Sequence, residues 1–101
     1  MNVLFTETAA AQLENQIDHI ASKGAPDAAR RIKERVGSFI YGFLTAYPRA
    51  ARFVEEKSIY EAAIPGTNYV VFYRLEGPDT LRVLALFHGA QDRSDFSAGG
   101  D

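Results

Sequence analysis

The chain has 101 residues and a mass of 11.1 kDa, the size of one domain. Hydrophobic residues make up 47% of it and charged residues 24%, which is typical of a folded, water-soluble domain and not of a disordered segment. The absence of cysteine excludes disulfide bonds, thiolate catalysis and Cys-ligated zinc. No stretch approaches the roughly 20 apolar residues of a membrane span, and no export signal is visible, so we expect a cytoplasmic protein without membrane association.

Charge is distributed unevenly along the chain. The formal net charge is −2, which disfavours a protein that binds phosphate backbones, and we expect no direct DNA binding by the chain alone. Residues 23–57 nevertheless carry a local charge of +4, because eight bases stand there against four acids. The segments on either side are acidic. The basic segment is therefore a candidate docking surface for an acidic partner.

The N-terminal part of the chain predicts a strand followed by a helix. Asn2 to Phe5 is a short apolar strand, and Thr6 or Thr8 can cap the helix that follows it. Gly24 ends this helix, because glycine adopts the left-handed backbone that terminates helices. The apolar stripe of the helix is formed by Leu13, Ile17 and Ile20, with Ala9 and Ala10 one turn earlier.

A second, longer helix is predicted from Pro26 to about residue 46, where Pro48 stops it. The short link between the two helices predicts an antiparallel hairpin. The apolar stripe of the second helix comprises Ala29, Ile32, Val36, Phe39, Ile40, Phe43 and Tyr47. Its solvent face comprises Arg30, Arg31, Lys33, Glu34 and Arg35.

The remaining chain predicts a basic loop and three strands. Residues 49–57 form the loop, and Pro65-Gly66 and Glu76–Asp79 supply turns between strands. The strands are Ser58 to Ile64, Tyr69 to Tyr73, and Leu81 to Phe87. The predicted order is β-α-α-β-β-β, an α+β fold in which a helical hairpin packs on one face of a small, mainly antiparallel sheet. We assign residues 1–96 to this single domain and 97–101 to a flexible tail.

Two histidines are the only candidates for imidazole chemistry. His19 and His88 are 69 positions apart, and neither has a neighbour at metal-ligand spacing, so no metal site and no cofactor are predicted. His19 lies at the border of its helix stripe and is read as a rim histidine. His88 stands at the exit of the last strand, where side chains often meet ligands, although a structural role is the more common one for such a residue.

Arg74 and Arg82 lie on the two facing strands of the last hairpin. Side by side, they would hold an anion or stabilise a phosphoryl transition state. Ion pairing with Glu61, Glu76 or Asp79 is the competing reading. The aromatic residues of 69–73 fit core packing better than base stacking. Spacing alone assembles no complete catalytic set.

Four short motifs, in order, resemble the toxins of the ParE/RelE superfamily over roughly residues 3–96. The helical hairpin of that family is similar to Thr6-Glu7-Thr8-Ala9 and Ala28-Ala29-Arg30 in this chain. Its Pro-Arg-x-x-Arg loop resembles Pro48-Arg49 with Arg52, and its central strand resembles Tyr69 to Arg74. Its final strand and His-Gly-x-x-Asp exit resemble Val83 to Asp92. The ParE branch fits better than the RelE branch.

The resemblance implies the toxin half of a type II toxin–antitoxin pair. ParE-like members inhibit DNA gyrase by binding and are not known as hydrolases, so no enzyme is expected here. The target-facing part would be the segment after the last strand, with His88, Gln91, Asp92, Arg93 and Phe96. Two alternatives stay open: a RelE-like, ribosome-dependent mRNA endonuclease that uses Arg82 and His88, and a chain that binds its antitoxin but has lost activity.

The same resemblance implies a ParD-like antitoxin as partner, with a DNA-binding domain followed by a tail that folds on the toxin. An acidic stretch of that tail would be attracted to Arg30, Arg31, Arg49 and Arg52. The predicted fold offers an edge strand and a helix-hairpin groove, which are two common surfaces for binding such a segment.

Overall fold

The computed structural model describes residues 1–89, and within them the α+β class is confirmed. The strands are β1 (Asn2–Phe5), β2 (Arg52–Val54), β3 (Ile59–Ala63), β4 (Tyr69–Glu76) and β5 (Thr80–His88). The helices are α1 (Glu7–Ser22) and α2 (Pro26–Gly37), and α2 continues into a π-helical segment, Ser38–Leu44. The predicted tail, 97–101, and the boundary at residue 96 lie outside the described residues.

The five strands form one sheet in the order β1-β5-β4-β3-β2. Three neighbouring pairs are antiparallel, and β1 pairs with β5 in parallel, with Val3 opposite Leu81. The prediction of a mainly antiparallel sheet is therefore confirmed. The longest strand, β5, lies between the first strand of the chain and β4, so the edges of the sheet are β1 and β2.

The predicted loop over residues 49–57 is wrong in part. Arg52–Val54 forms the edge strand β2, and Glu55–Lys57 forms a single 3₁₀ turn before β3. Phe53 lies opposite Tyr60 of β3, with their ring centroids 5.0 Å apart. Three residues are too few for a periodic pattern, so cross-strand contacts of this kind define the strand where sequence periodicity does not.

Thr6 fixes the start of α1 and ties it to the sheet. Its hydroxyl accepts a hydrogen bond from the N–H of Ala9 (3.1 Å) and donates one to the carbonyl of Leu84 (3.0 Å). Of the two predicted caps, Thr6 is therefore the one used. The helix ends as predicted at Gly24, whose φ of +81° is the left-handed conformation that glycine adopts without strain.

Most of the core lies between the helices and the sheet. Fully or almost fully buried side chains from both layers meet there: Ala9, Val36, Ile40, Leu44, Ile64, Val71, Tyr73, Leu81, Val83 and Leu86. A second cluster consists of Ile59, Phe72, Leu84 and Ala85. A β-bulge at Phe72/Tyr73 shifts the register of β5, which places Leu84 and Ala85 together in this second cluster.

The prediction of which residues form the apolar stripe of the second helix is wrong at the C-terminal end of the helix. Phe43 and Tyr47 were expected in the core, but they are 42% and 61% exposed, and Leu44 is fully buried. The reason is the π segment. Its hydrogen bonds span one residue more per turn than those of an α-helix, so the core-facing position moves from 43 to 44. The side chains of this helix that face the core are consequently Val36, Ile40 and Leu44.

Candidate partner-binding surface

The four arginines predicted to bind an antitoxin are all exposed, but they differ in their contacts. Arg30 pairs with Asp27 one turn earlier, at 3.1 Å. Arg49 donates to the hydroxyl of Tyr60 (3.3 Å), and Arg52 pairs with Glu61 on the neighbouring strand (2.7 Å). Arg31 has no ion pair or hydrogen bond with another side chain of residues 1–89 and remains available to a partner.

Arg31 begins a row of side chains that runs along α2 and the π segment to Tyr47 just beyond it, which we call the α2 ridge: Arg31, Arg35, Phe39, Phe43 and Tyr47. These side chains are spaced four residues apart. In a regular α-helix such a row turns about 40° around the axis at each step. The π segment counteracts this rotation. The ring centroids of Phe39 and Phe43 are accordingly 5.3 Å apart, and those of Phe43 and Tyr47 are 5.4 Å apart.

The α2 ridge from Arg31 to Phe43 forms one wall of a surface cleft of about 580 Å³, and Pro65 of the β3–β4 turn forms part of the other. Arg31 and Arg35 line one end of this cleft, and Phe39 and Phe43 line the other. The guanidinium of Arg35 packs so closely on Gly66 that a Cβ at that position would collide with it. The cleft thus combines a basic end with an aromatic end.

A second aromatic stack lies where the helix gives way to β2. Tyr73 packs on Tyr60, with ring centroids 5.2 Å apart, and Tyr60 contacts Phe53. The hydroxyl of Tyr73 donates to the carbonyl of Pro48 (2.7 Å), which anchors the chain just after the helix. Burial, together with the neighbouring Tyr60, raises the pKa of Tyr73 to about 12. Tyr73 is therefore a neutral structural residue at physiological pH.

Arg74 and Arg82 do face each other across β4 and β5, as predicted. Glu76 lies between them and accepts from the Nε of Arg74 (2.7 Å) and from the Nε of Arg82 (2.8 Å). These hydrogen bonds hold the pKa of Glu76 below its ordinary value. Of the two predicted readings, internal ion pairing is the one observed, with Glu76 as the acid.

The two histidines, distant in sequence, line one cleft of about 560 Å³ between the hairpin and the β3–β4 turn. His19 comes from α1, and His88 comes from the end of β5, where its ring makes an edge contact with Tyr69 at 5.6 Å. Tyr69 in turn donates to Gln16 of α1 (3.2 Å). Within residues 1–89, no group of three or more His, Asp or Glu is arranged to hold a metal ion.

The candidate residues of the alternative nuclease site are not brought together. Arg82 and His88 are six residues apart on the single strand β5, a distance of about 20 Å. Arg82 lines a cavity with Glu7 and Glu76, whereas His88 lines the histidine cleft at the other end of the strand. Of the predicted target-facing residues, only His88 lies in the part of the chain that the structure describes; Gln91, Asp92, Arg93 and Phe96 lie outside it.

Sequence analysis missed two contributors to the cleft. Arg35 was placed on the solvent face of its helix without a role, and Phe43 was placed in the core. The repeated spacing of four from Arg31 to Tyr47 was visible in the sequence. Only the π segment, however, aligns the aromatic part of that row, so that the rings of Phe39, Phe43 and Tyr47 contact one another.

A helical hairpin packed on a small, mainly antiparallel sheet is the architecture that the resemblance to these small toxins implies. Comparison with known proteins agrees. Residues 3–93 match the family described as the ParE toxin of type II toxin–antitoxin systems, parDE, and the chain therefore belongs to this family. Membership implies an antitoxin as partner.

The fold is also found among solved structures. A chain of the chromosomal ParDE toxin–antitoxin system from P. aeruginosa superposes with a TM-score of 0.73, over 87% of this chain and 95% of that one. The two sequences are 19% identical, so the likeness establishes a common fold. The comparison with curated proteins found no match to the sequence. Among residues 1–89, no helix is long and apolar enough to cross a membrane.

Proposed function

We propose that this chain inhibits DNA gyrase by binding to it and is neutralised by a ParD-like antitoxin. The observation that carries the proposal is the match of residues 3–93 to the ParE toxin family. Gyrase acts on intracellular DNA, so the proposed site of action is the cytoplasm. The proposal describes a binding protein and not an enzyme.

The distribution of charge supports antitoxin binding on the basic segment. Arg30, Arg31, Arg49 and Arg52 are exposed in a segment with a net charge of +4, although the whole chain is acidic. An acidic antitoxin segment approaching this surface would be attracted over about 8 to 10 Å at physiological salt. Such attraction mainly accelerates association.

Charge reversal tests this site. We expect the double variant Arg49→Glu/Arg52→Glu to bind the antitoxin encoded beside the toxin about tenfold more slowly than wild type at low salt. In high salt the difference should largely disappear, because screening removes the attraction that accelerates the wild type. The control variant Lys23→Glu/Lys33→Glu changes the net charge equally, at two bases of the same segment that are not among the four predicted arginines. Stopped-flow association rates that are the same for both variants would contradict the assignment.

The target-binding part of the proposal concerns the end of β5 and the residues that follow it. We expect deletion from Gly89 onward to abolish inhibition of gyrase supercoiling while antitoxin binding persists. Circular dichroism and antitoxin binding verify that the shortened chain is folded. A folded, shortened chain that still inhibits gyrase would show that the target contacts lie elsewhere.

The nuclease alternative has a different signature. Cleavage of mRNA on the ribosome would need Arg82 and His88 to act on one phosphodiester, but about 20 Å of strand separates them. Primer extension on translating mRNA separates the two functions, because only a nuclease leaves codon-phased cuts. Cuts that disappear in His88→Ala would replace the gyrase proposal. Absence of growth arrest on induction would indicate a chain that has lost activity.

A further inference from the structure

The sheet carries an apolar cluster on each face, but within residues 1–89 the helices cover only one of them. Val71 of β4 points into the core that the sheet shares with α1 and α2. Its neighbour Phe72 points to the opposite side, because side chains alternate along a strand. We call this side the far face. The described members of its cluster all belong to strands: Ile59, Phe72, Leu84 and Ala85, with Val54, Val70 and Phe87 at the rim.

The cluster on the far face is buried although no helix of residues 1–89 lies over it. Ile59 and Ala85 have no exposed surface, and Phe72 is only 5% exposed. A sheet face that is turned to water would leave the outer side of such residues accessible. These exposures are those of the chain on its own, so neither a partner nor a second copy supplies the cover.

We propose that the segment that follows β5 folds back over the far face, where the ring of Phe96 packs beside Phe72 and Phe87. Phe96 is then a positioning residue, which fixes the distal end of residues 90–95. This inference rests on the proposed function only for the target that residues 90–95 contact, because the packing of Phe96 does not depend on gyrase. It differs from the expectation that Phe96 itself contacts the target.

The composition of residues 90–101 selects Phe96 as the side chain that packs on this face. It is the only large apolar residue of that stretch, whose other members are small, polar or charged. The rings of Phe72 and Phe87 meet edge to face, with their centroids 5.8 Å apart. A third ring beside this pair loses its contact with water and gains an aromatic neighbour, and both changes are favourable.

The length of the chain after β5 is sufficient for this return. The N–H of Gly89 donates to the carbonyl of Asn68, which ties the end of β5 to the start of β4. Phe72 lies opposite Ala85, about 10 Å back from the end of β5. The seven residues from Gly89 to Phe96 span up to about 23 Å when extended. They can therefore reverse direction in a turn and still reach Phe72.

Packing of Phe96 closes residues 90–95 into a loop that is held at both ends. One end is fixed by the hydrogen bond of Gly89, and the other by the ring on the far face. A loop that is ordered in advance loses less conformational entropy when it binds its target. Phe96 therefore promotes gyrase binding without touching gyrase, whereas Gln91, Asp92 and Arg93 make the contacts.

Tryptophan fluorescence tests the packing. The chain contains no tryptophan, so a single introduced one reports only its own surroundings. We would compare full-length Phe96→Trp with the control variant Ser94→Trp, both without any partner. We expect the tryptophan at position 96 to emit at shorter wavelength and to be quenched by acrylamide at least threefold less, and urea to abolish both differences. Equal emission and quenching of the two folded variants would overturn the proposal.

A double-mutant cycle tests the location. Phe72→Leu alters the far face, and Val71→Ala, at the next residue of β4, alters the face turned to the helices. We expect Phe96→Ala to raise the equilibrium constant of unfolding at least tenfold. It should also reduce the effect of Phe72→Leu at least threefold and leave the effect of Val71→Ala unchanged. Equal coupling of Phe96 to both positions would overturn the location on the far face.

Inhibition of gyrase supercoiling tests the positioning role. We expect Phe96→Ala, under conditions in which it is folded, to inhibit at least tenfold less well, and Phe96→Leu to restore most of the inhibition, because leucine keeps an apolar anchor. Full inhibition by Phe96→Ala would overturn the positioning role. A wild-type chain that does not inhibit gyrase would contradict the proposed function, whereas an exposed tryptophan at position 96 would contradict only the packing.

Discussion

Two pairs of neighbouring arginines in this fold differ in whether an acidic side chain of the fold lies between them. Arg74 and Arg82 face each other across two strands, and Glu76 bridges them with hydrogen bonds of 2.7 and 2.8 Å. Arg31 and Arg35 are one helical turn apart, and residues 1–89 supply no such bridge. The first pair shares an internal carboxylate, and these ion pairs contribute to the stability of the fold. The second pair has no internal counter-charge and is therefore suited to an external one.

This comparison predicts that substitutions around the sheet change stability and leave antitoxin binding intact. The largest effect is expected for Thr6→Ala, which removes the cap of α1 and the hydrogen bond to the carbonyl of Leu84. We expect the free energy of unfolding to fall by about 2 kcal/mol. Thr8→Ala, at an exposed position in the same helical turn, is the control. Urea denaturation that gives equal losses for both variants would contradict the role of Thr6.

The next largest effect is expected for Tyr73→Phe, which removes the hydrogen bond to the carbonyl of Pro48. We expect a loss of about 1 kcal/mol at neutral pH. Because the pKa of Tyr73 is raised to about 12, its stabilising effect is complete below pH 10 and is lost as the pH rises through 12. Between pH 10 and 12, the free energy of unfolding should therefore fall less steeply with pH for Tyr73→Phe than for the wild type. Tyr47→Phe, at an exposed ring, should behave like the wild type.

A smaller effect is expected for Glu76→Gln, which removes the negative charge that accepts hydrogen bonds from both Arg74 and Arg82. The group is partly exposed to water, so we expect a loss of no more than about 1 kcal/mol at pH 7. Because the pKa of Glu76 is lowered, its contribution is present above the ordinary carboxylate range and is lost as the pH falls through the folded value. We expect wild type and Glu76→Gln to have the same free energy of unfolding at acidic pH, and the wild type to have the larger one at pH 7.

The smallest effect on stability is expected for the ridge pair. Replacing Arg31 by alanine should change the free energy of unfolding by less than about 0.5 kcal/mol, because its side chain is exposed and alanine favours helices; Arg35→Ala should cost somewhat more, because its guanidinium packs on Gly66. Antitoxin association should nevertheless become slower at low salt. A large loss of stability, measured by thermal denaturation of the isolated toxin, would show that these arginines belong to the fold and would remove the contrast between the two pairs.

Local signals in the sequence predicted much of the fold. Asn2–Phe5, the helix end at Gly24 and the turn at Pro65-Gly66 depend on neighbouring residues, and each is found as predicted. Long-range contacts determine what was missed. The phase of the second helix changes because Leu44, and not Phe43, reaches the core, and the strand Arg52–Val54 exists through its pairing with β3. Neither feature has a signature in the residues themselves.

The candidate site was predictable only as a list of residue types. Exposure of Arg30, Arg31, Arg49 and Arg52 followed from helix periodicity and loop composition, and it is confirmed. The sequence did not decide which acid pairs with Arg74 and Arg82, because Glu61, Glu76 and Asp79 were equivalent in spacing. The sequence also did not indicate that His19 and His88 lie near each other, whereas the docking of the hairpin on the sheet brings both to one cleft.

The parallel pairing of β1 with β5 links two strands that are far apart in the sequence. Val3 lies opposite Leu81, so the sheet is completed only when β5 has been synthesised and joins β1. A nascent chain that ends before β5 lacks Leu81, Val83 and Leu86, three side chains of the core shared with the helices. Premature termination before this strand therefore yields fragments that cannot assemble the sheet. The order of synthesis thus delays the appearance of the folded domain until β5 has been translated.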